Sequence, residues 1–150
     1  MYKNILIGTD GSPLGDKALD HGLALAKSEQ AKVTIVTVTQ HWSAMDIALE
    51  ASKDRHNPNP LKQFEDMAAN AAKHILAAAE AKAKAANVPV EVRHVPNKYA
   101  GEGVIETADE IQADLVVMAS HGRRGINRLL LGSQAYEVVS RSKVPVLIVR

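Results

Sequence analysis

The amino-acid sequence predicts a doubly wound α/β fold, in which helices cover both faces of a parallel sheet. Five short apolar runs rich in β-branched residues alternate with four segments of helical periodicity. Runs such as Ile5-Leu6-Ile7 are apolar at successive positions, as strands buried on both faces are. The length of 150 residues is that of one compact domain. We therefore expect residues 1–150 to form a single doubly wound domain.

Five strands are predicted, each centred on one of the apolar runs. They span residues 3–9, 32–39, 88–94, 114–119 and 144–149. Strands joined through helices pair in parallel, with right-handed crossovers. We expect a five-stranded parallel sheet in the order 3-2-1-4-5, so that strands one and four are central neighbours.

Four helices are predicted between the strands, over residues 13–28, 61–86, 103–112 and 133–141. The first has Ser12 as its N-cap and Pro13 at its first position, where both residue types are favoured. The buried faces of the other three are expected from apolar residues at helical spacing. These are Phe64, Ala68, Ala71, Ile75 and Ala78, then Val104, Ile105, Ala108 and Ile111, then Ala135, Val138 and Val139.

The connection over residues 40–60 interrupts this regular alternation. It is long and polar, and it ends in Asn57-Pro58-Asn59-Pro60. Loops of this length are usually either functional or disordered. Two interpretations stay open, a flap over a ligand site and a mobile surface excursion.

The strongest chemical signal follows the fourth strand, where Gly122 precedes three arginines and Gly132-Ser133 opens the last helix. Glycines let backbone N–H groups approach a ligand closely, and a helix N-terminus attracts anions, phosphates above all. The same residues also serve ordinary turn and cap chemistry, and the two roles are compatible because both use the same N–H groups. The arginines, which either contact phosphate or are simply solvated, are Arg123, Arg124 and Arg128. We predict a phosphate-binding loop.

A carboxylate follows the first strand, in Thr9-Asp10-Gly11-Ser12. In an open α/β sheet, ligands bind at the carboxyl ends of the strands where the winding direction switches. Asp10 is therefore placed to accept hydrogen bonds from ribose or adenine, or to hold a metal ion; the alternative is a structural role in capping the first helix. Together with the glycine loop, Asp10 predicts a nucleotide site.

Several classes of protein are excluded by the sequence. There is no P-loop or dinucleotide-binding motif, and no serine lies in a nucleophile elbow. A net charge of +1 favours neither nucleic acid nor membranes as partners. No apolar run has the length of a signal peptide or a membrane span, so we expect a cytoplasmic protein. Cysteine is absent and the six histidines are scattered, so neither suggests a metal site.

These residues resemble the universal stress protein family over the whole chain. The resemblance runs from the segment containing Gly8-Thr9-Asp10-Gly11-Ser12, through the fourth strand and His121-Gly122, to Gly132-Ser133 and the last strand. The ATP-binding branch has the pattern G-x-x-G, nine residues, then G-[ST]. Gly122 and Gly132-Ser133 fit this pattern, and Ala119 replaces its first glycine. Alanine is small, but a left-handed backbone there would cost roughly 1–2 kcal/mol.

The resemblance implies a site for ATP, with ADP and AMP as alternatives and Mg²⁺ as a further candidate. Adenine is expected near Thr9, Asp10 and Val38, and the phosphates near the glycine loop. The complete expected set is Thr9, Asp10, Val38, Met118, Ala119, Gly122, Arg123, Gly132, Ser133 and Gln134. The family is typically dimeric through its last strand, which begins here at Val144 and ends at Val149. An apolar edge strand is suited to such pairing.

Three functions follow as hypotheses. The first is a dimeric regulatory protein of the stress response that binds ATP and hydrolyses little or none of it. The second is a slow Mg²⁺-dependent ATPase or phosphotransferase that uses Asp10. The third is an interaction or chaperone-like module whose nucleotide pocket is vestigial because Ala119 replaces a glycine.

Overall fold

The computed structural model describes residues 1–122 and 130–150. Its strands are β1 (Asn4–Gly8), β2 (Lys32–Gln40), β3 (Val90–Lys98), β4 (Leu115–Ala119) and β5 (Val146–Val149). Its helices in those ranges are α1 (Pro13–Glu29), α2 (Ala44–Lys53), α3 (Pro60–Ala85), α4 (Ala100–Glu110) and α5 (Ser133–Arg141). The strands form one parallel sheet in the order β3-β2-β1-β4-β5. The predicted fold class and strand order are confirmed.

The centre of the sheet is covered on both faces. Ile7 of β1 is paired with Ile35 of β2 on one side and with Val117 of β4 on the other. Ile5 and Ile7 pack in a cluster with α1 and α3, whereas Leu6 packs in a second cluster with α4 and α5. Because successive side chains of a strand point to opposite faces, a strand buried on both faces is apolar at every position.

The start of α1 follows the predicted chemistry. The Ser12 hydroxyl accepts a hydrogen bond from the Gly15 backbone N–H at 3.0 Å. Pro13 occupies the first helical position, where a missing N–H costs nothing. The predicted N-cap is confirmed.

The predicted loop over residues 40–60 is wrong for its middle part, which forms α2. The Ser43 hydroxyl accepts a bond from the Asp46 backbone N–H at 3.2 Å, and the Asp46 carboxylate accepts one from the Ser43 N–H at 2.7 Å. This reciprocal capping box satisfies two N–H groups that a helix start leaves without partners. The pattern Ser-x-x-Asp was a sequence signal for the start of α2.

The predicted buried face of α3 is also wrong. The buried residues are Ala72, Leu76, Ala79 and Ala83, whereas Ala71 and Ala78 are exposed. Alanine occupies so many positions of α3 that its periodicity does not favour one face over its neighbour, and contact with the sheet decides. In addition, the segment before Ala72 buries no side chain, so Phe64 and Ala68 are only half-buried; Ile75, further along the helix, is half-buried as well.

Smaller differences concern the other elements. Strand β3 begins and ends later than predicted, and α4 begins at Ala100 rather than three residues further on. Ile105 and Ile111 are only partly buried, and Val139 is 46% exposed because the outer side of α5 has no covering layer among the described residues. None of the helices in the described ranges is both long and apolar enough to cross a lipid bilayer.

Candidate functional site

The predicted site residues surround the carboxyl ends of β1 and β4, which are neighbouring strands at the centre of the sheet. The chain leaves β1 for α1 on one face, and it reaches α5 on the opposite face after β4. This is the topological switch point of the sheet, where crevices form in open α/β folds. The structure therefore brings the two predicted loops to one edge.

Asp10 lies between the two loops. Its Oδ1 atom accepts a hydrogen bond from the Ser12 backbone N–H at 2.9 Å. Its Oδ2 atom lies against Gly122, where an added Cβ would be only 3.2 Å away. The carboxylate thus fixes the start of α1 and also contacts the glycine loop after β4. Asp10 therefore has the structural role of stabilising the start of α1. It also lies where the two loops meet, which is the location that a role in ligand binding requires.

Gly15 makes this position of Asp10 possible. A Cβ at Gly15 would lie 2.7 Å from Asp10 Oδ1, 3.1 Å from Thr9 Oγ1 and 3.3 Å from Ser12 Oγ. The first contact is shorter than a Cβ tolerates, so any side chain here would displace the carboxylate or the helix. Gly15 is not among the predicted site residues, although a glycine in the first turn of a helix is a signal, since glycine weakens helices.

Thr9 is buried, and its backbone extends the sheet beyond β1. Its N–H donates to the Val36 carbonyl at 3.0 Å, and its hydroxyl accepts a bond from the Gly11 N–H at 3.2 Å. Gly11 has a φ of 71°, a left-handed conformation that favours glycine. These bonds hold the first loop in a defined turn.

The two described ends of the segment between β4 and α5 lie together. The Ser120 carbonyl accepts a hydrogen bond from the Gly132 N–H at 2.9 Å, so the start of α5 returns to the exit of β4. A Cβ at Gly132 would lie 3.0 Å from that carbonyl oxygen, which a larger residue would crowd. Ser120 is itself buried, and its N–H donates to the Val149 carbonyl at 2.8 Å. Ser120, which is not among the predicted site residues, therefore joins the two ends.

The start of α5 carries the features expected of an anion site. Gly132 is its N-cap, and in the described part of the chain no side chain caps this end. The exposed Ser133 is the first helical residue. Backbone N–H groups in a first helical turn lack partners within the helix and carry the positive end of its dipole. This arrangement suits a phosphate.

Gln134 connects α5 to α4. Its side-chain oxygen accepts a hydrogen bond from the Gly101 backbone N–H at 2.8 Å. A Cβ at Gly101 would meet Glu137 Oε2 at 2.7 Å, so glycine permits the close approach of the two helix starts. Gln134 thus has a structural contact that the sequence did not predict, and its partner Gly101 is not among the predicted site residues either.

Val38 and Met118 supply apolar surface beneath this edge. Val38 is half-buried on β2, and Gly103 of α4 packs so closely on it that an added Cβ would lie 2.7 Å from Val38 Cγ2. Met118 is 8% exposed and belongs to the core between the sheet and α4 and α5. Ala119 is half-buried at the end of β4.

The predicted arginines lie outside the described residues. They are Arg123, Arg124 and Arg128. The neighbouring His121 is described, and its Nδ1 atom lies 3.1 Å from the Ser120 hydroxyl. Within the described ranges no group of three metal-ligating side chains is assembled. The described chemistry is therefore a carboxylate, a helix start and an apolar floor at one edge of the sheet.

Comparison with known proteins gives consistent matches over the whole chain. The model of the universal stress protein family matches residues 1–150. The universal stress protein YxiE of Bacillus subtilis is 32% identical over 154 aligned positions, which cover 100% of both chains.

Two solved structures extend the comparison. The hypothetical protein MJ0577 superposes with a TM-score of 0.79 at 24% identity, over 99% of this chain and 96% of its own. A universal stress protein solved in complex with cAMP superposes with a TM-score of 0.71 at 30% identity, over 99% and 97%. The first likeness concerns the fold alone, and the second extends to a protein that holds an adenine nucleotide.

Proposed function

The chain belongs to the universal stress protein family, and from this premise we propose that it binds an adenine nucleotide, ATP in the first place, as a dimeric regulatory protein. The observation that carries the proposal is the meeting of the Asp10 carboxylate with Gly122 beside the start of α5. The relative solved with cAMP supports the ligand class. ADP and AMP are the alternative ligands, and Mg²⁺ is a candidate companion of the phosphates.

The described residues fit such a ligand. A nucleotide has a flat base at one end, an anionic phosphate chain at the other end, and a polar sugar between them. In our proposal Val38 and Thr9 lie along the base, Asp10 accepts hydrogen bonds from the base or ribose, and the backbone of Gly122, Gly132 and Ser133 holds the phosphates. Met118, Ala119 and Gln134 complete the proposed nucleotide site, together with Arg123, which is outside the described residues.

We propose that the bound nucleotide is hydrolysed slowly or not at all. Asp10 is the acidic residue of the described site, and its Oδ1 atom already accepts the Ser12 N–H bond. That bond already engages this oxygen with the backbone at the start of α1, so we do not expect it to activate a water molecule. The alternative of a slow Mg²⁺-dependent ATPase that uses Asp10 predicts steady phosphate release instead.

The proposed dimer forms through the last strand, which was predicted from Val144 to Val149 and which the structure begins later, as β5 from Val146 to Val149. Strand β5 is at one edge of the sheet and pairs with β4 alone in the described topology. Its Leu147 is 39% exposed, and Tyr136 on the neighbouring α5 is 65% exposed. An exposed apolar edge favours pairing with a second copy, and a two-fold axis makes both copies contribute the same strand. We also propose that the protein acts in the cytoplasm.

Calorimetric titration with Mg²⁺–ATP tests the nucleotide proposal. Asp10→Asn keeps an oxygen that accepts the Ser12 N–H bond but removes the charge. Because a hydrogen bond to a charged group is worth about 1.5–3 kcal/mol, we expect affinity to fall about 10- to 100-fold. Asp109→Asn is the matched control, since this exposed carboxylate on α4 pairs with Lys143 away from the site, and its affinity should equal that of the parent.

The outcomes separate the three functions. Binding that depends on Asp10, with no phosphate release above background, supports the regulatory protein. Phosphate release that Asp10→Asn abolishes without abolishing binding identifies the slow ATPase. If millimolar ATP, ADP, AMP and cAMP all fail to bind the parent protein, the nucleotide proposal is wrong and the interaction module is favoured.

A further inference from the structure

A helical hairpin projects from the carboxyl edge of the sheet, and we call it the α2–α3 arm (residues 43–71). Helix α2 buries no residue, and α3 is its main packing partner. Helix α3 has 26 residues, but its buried side chains begin only at Ala72. The first 12 residues of α3, about three turns, therefore extend beyond the layer that packs on the sheet.

Aromatic contacts fix the base of the arm. Trp42 stacks on Phe64 with ring centroids 5.9 Å apart, which joins the chain before α2 to α3. The Trp42 backbone N–H also donates to Asn97 Oδ1 at 3.2 Å, in the strand β3. The arm is thus attached to the β2–β3 side of the sheet.

Helix α2 has two apolar faces, and the described residues cover only one of them. Ile47 and Ala51 are half-buried and lie at the spacing of one helical turn, as expected for the side that packs on α3. On the other side, Met45 is 77% exposed and Leu49 is 60% exposed. A surface helix normally has a polar outer face, so an outer face with Met and Leu marks an interaction surface.

Helix α3 also has exposed apolar side chains. Met67 is 61% exposed and Leu61 is 42% exposed, both in the projecting part of the helix. Further along the same helix, the apolar side chains at core-facing positions are buried against the sheet. The projecting turns therefore present side chains of core type where the sheet no longer reaches them.

We propose that the arm is a homotypic interface, in which α2 packs antiparallel against α2 of a second copy. Met45, Leu49 and Ser52 follow one another at intervals of four and three residues, the spacing of a coiled-coil seam. Asp46 and Lys53 lie seven residues apart on the same flank of this seam and have opposite charges. In an antiparallel pair, equivalent flanking positions face each other, so Asp46 of each copy lies opposite Lys53 of the other.

This charge pattern selects a second copy over an unrelated partner. An isologous interface needs a surface that is complementary to itself, and α2 has that property because its first turn is acidic and its last turn basic. Asp46 is exposed, and hydrogen bonds from Ser43 in the capping box, the backbone N–H first, lower the pKa of its carboxyl below the ordinary value, so the group is charged at neutral pH. Lys53 lies 2.9 Å from Glu50 on its own helix, which holds its side chain on that flank.

The arm interface is distinct from the proposed pairing of β5. Helix α3 packs on β2 and β3, whereas β5 is at the opposite edge of the sheet. A chain with two different isologous interfaces assembles beyond a dimer, into a closed tetramer or a longer array. The assembly through the arm requires no nucleotide, so its test is independent of the ligand proposal.

Cross-linking tests the arm directly, because the chain contains no cysteine. Leu49→Cys places one thiol beside the proposed two-fold axis, and Ala77→Cys, on an exposed position of α3 outside the arm, is the matched control. With a short bis-maleimide at low protein concentration and without nucleotide, we expect covalent dimers of Leu49→Cys and only background with Ala77→Cys. Equal yields from the two variants would overturn the proposal.

Mass measurement by analytical ultracentrifugation gives a second test. Leu147→Glu is introduced to remove pairing of β5, and the chain should remain a dimer through the arm. Adding Met45→Glu and Leu49→Glu should halve the mass, whereas Ala77→Glu with Ala81→Glu, an exposed pair at the same spacing, should leave it unchanged. Circular dichroism confirms that each variant is folded. A monomer already with Leu147→Glu alone, or a mass that the arm charges do not alter, would overturn the proposal.

A charge reversal tests whether the two α2 helices pack antiparallel. Lys53→Glu places like charges opposite Asp46 in an antiparallel pair, and we expect dimer dissociation constants to rise about two- to fivefold. High salt should reduce this difference, because surface charges are screened. A variant that dimerises as tightly as the parent at low salt would contradict the antiparallel arrangement.

Discussion

Substituting Gly15 by alanine tests how the candidate site is built. A methyl group at this position would lie 2.7 Å from Asp10 Oδ1 and 3.1 Å from Thr9 Oγ1. The carboxylate is held by the Ser12 N–H bond of 2.9 Å, so it has to move away from that bond or the helix has to shift. Gly15→Ala should therefore disturb the same carboxylate that we propose for nucleotide recognition.

Two opposing effects determine how much Gly15→Ala changes the free energy of unfolding. Alanine in a helix is favoured over glycine by about 1 kcal/mol. Overpacking typically costs 1–3 kcal/mol, and weakening a hydrogen bond to a charged group costs about 1.5–3 kcal/mol. The unfavourable contributions are larger, so we expect a net loss of about 1.5–5 kcal/mol. In a domain of this size that corresponds to a melting temperature lower by roughly 3–20 °C.

A double-mutant cycle with Asp10→Ala isolates the contact. With the carboxylate removed, the main clash is gone and only Thr9 and Ser12 remain near the new methyl group. The Gly15→Ala cost should then shrink by about 1–2 kcal/mol, measured by urea unfolding. Equal costs with and without the carboxylate would refute the reasoning, as would an Mg²⁺–ATP affinity that Gly15→Ala leaves unchanged in a protein that binds the nucleotide.

Two further predictions concern single groups. Ser12→Ala removes the cap of α1, which accepts the Gly15 N–H at 3.0 Å, and should lower the free energy of unfolding by about 1 kcal/mol in urea titrations; a change within experimental error would contradict the capping role. Burial lowers the pKa of His94 below its ordinary value, so the unfolded chain binds a proton more readily than the folded one. Stability from this residue is complete above about pH 6.5 and is lost as the pH falls below it. His94 Nε2 lies 2.8 Å from the Thr39 hydroxyl, and His94→Gln keeps a polar group there. In this variant the urea concentration at the unfolding midpoint should change less between pH 7 and pH 5 than it does in the parent protein. A midpoint that depends on pH as steeply as in the parent would assign the effect to other groups.

Local sequence chemistry predicted much of the fold. Successive apolar β-branched residues identified β1, β2 and β4, and the alternation with helices predicted parallel pairing in the observed order. Ser12 and Pro13 located the start of α1, because a cap acts within one turn. The Gly132-Ser133 pair located the start of α5 in the same way.

The faces of the longer helices required the tertiary structure. Alanine occurs on all sides of α3, so the sequence did not indicate which stripe meets the sheet, and contact with β2 and β3 selects Ala72 and Leu76. The sequence also did not indicate that the turns of α3 before Ala72 project beyond the sheet. Apolar side chains there follow the helical pattern, but the sheet ends before it reaches them, and no local rule predicts where a layer ends.

The candidate site, like the fold, was predicted from the sequence only in part. The sequence by itself determined the residue types, namely a carboxylate after β1, glycines after β4 and a helix start beyond them, because each is a local property of a strand exit or a cap. Only the tertiary structure decided which atoms meet. The approach of Asp10 to Gly15 and Gly122, and the bond from Gly101 to Gln134, join residues from separate loops and helices. Such contacts depend on how the elements pack, and packing is decided by the whole chain at once.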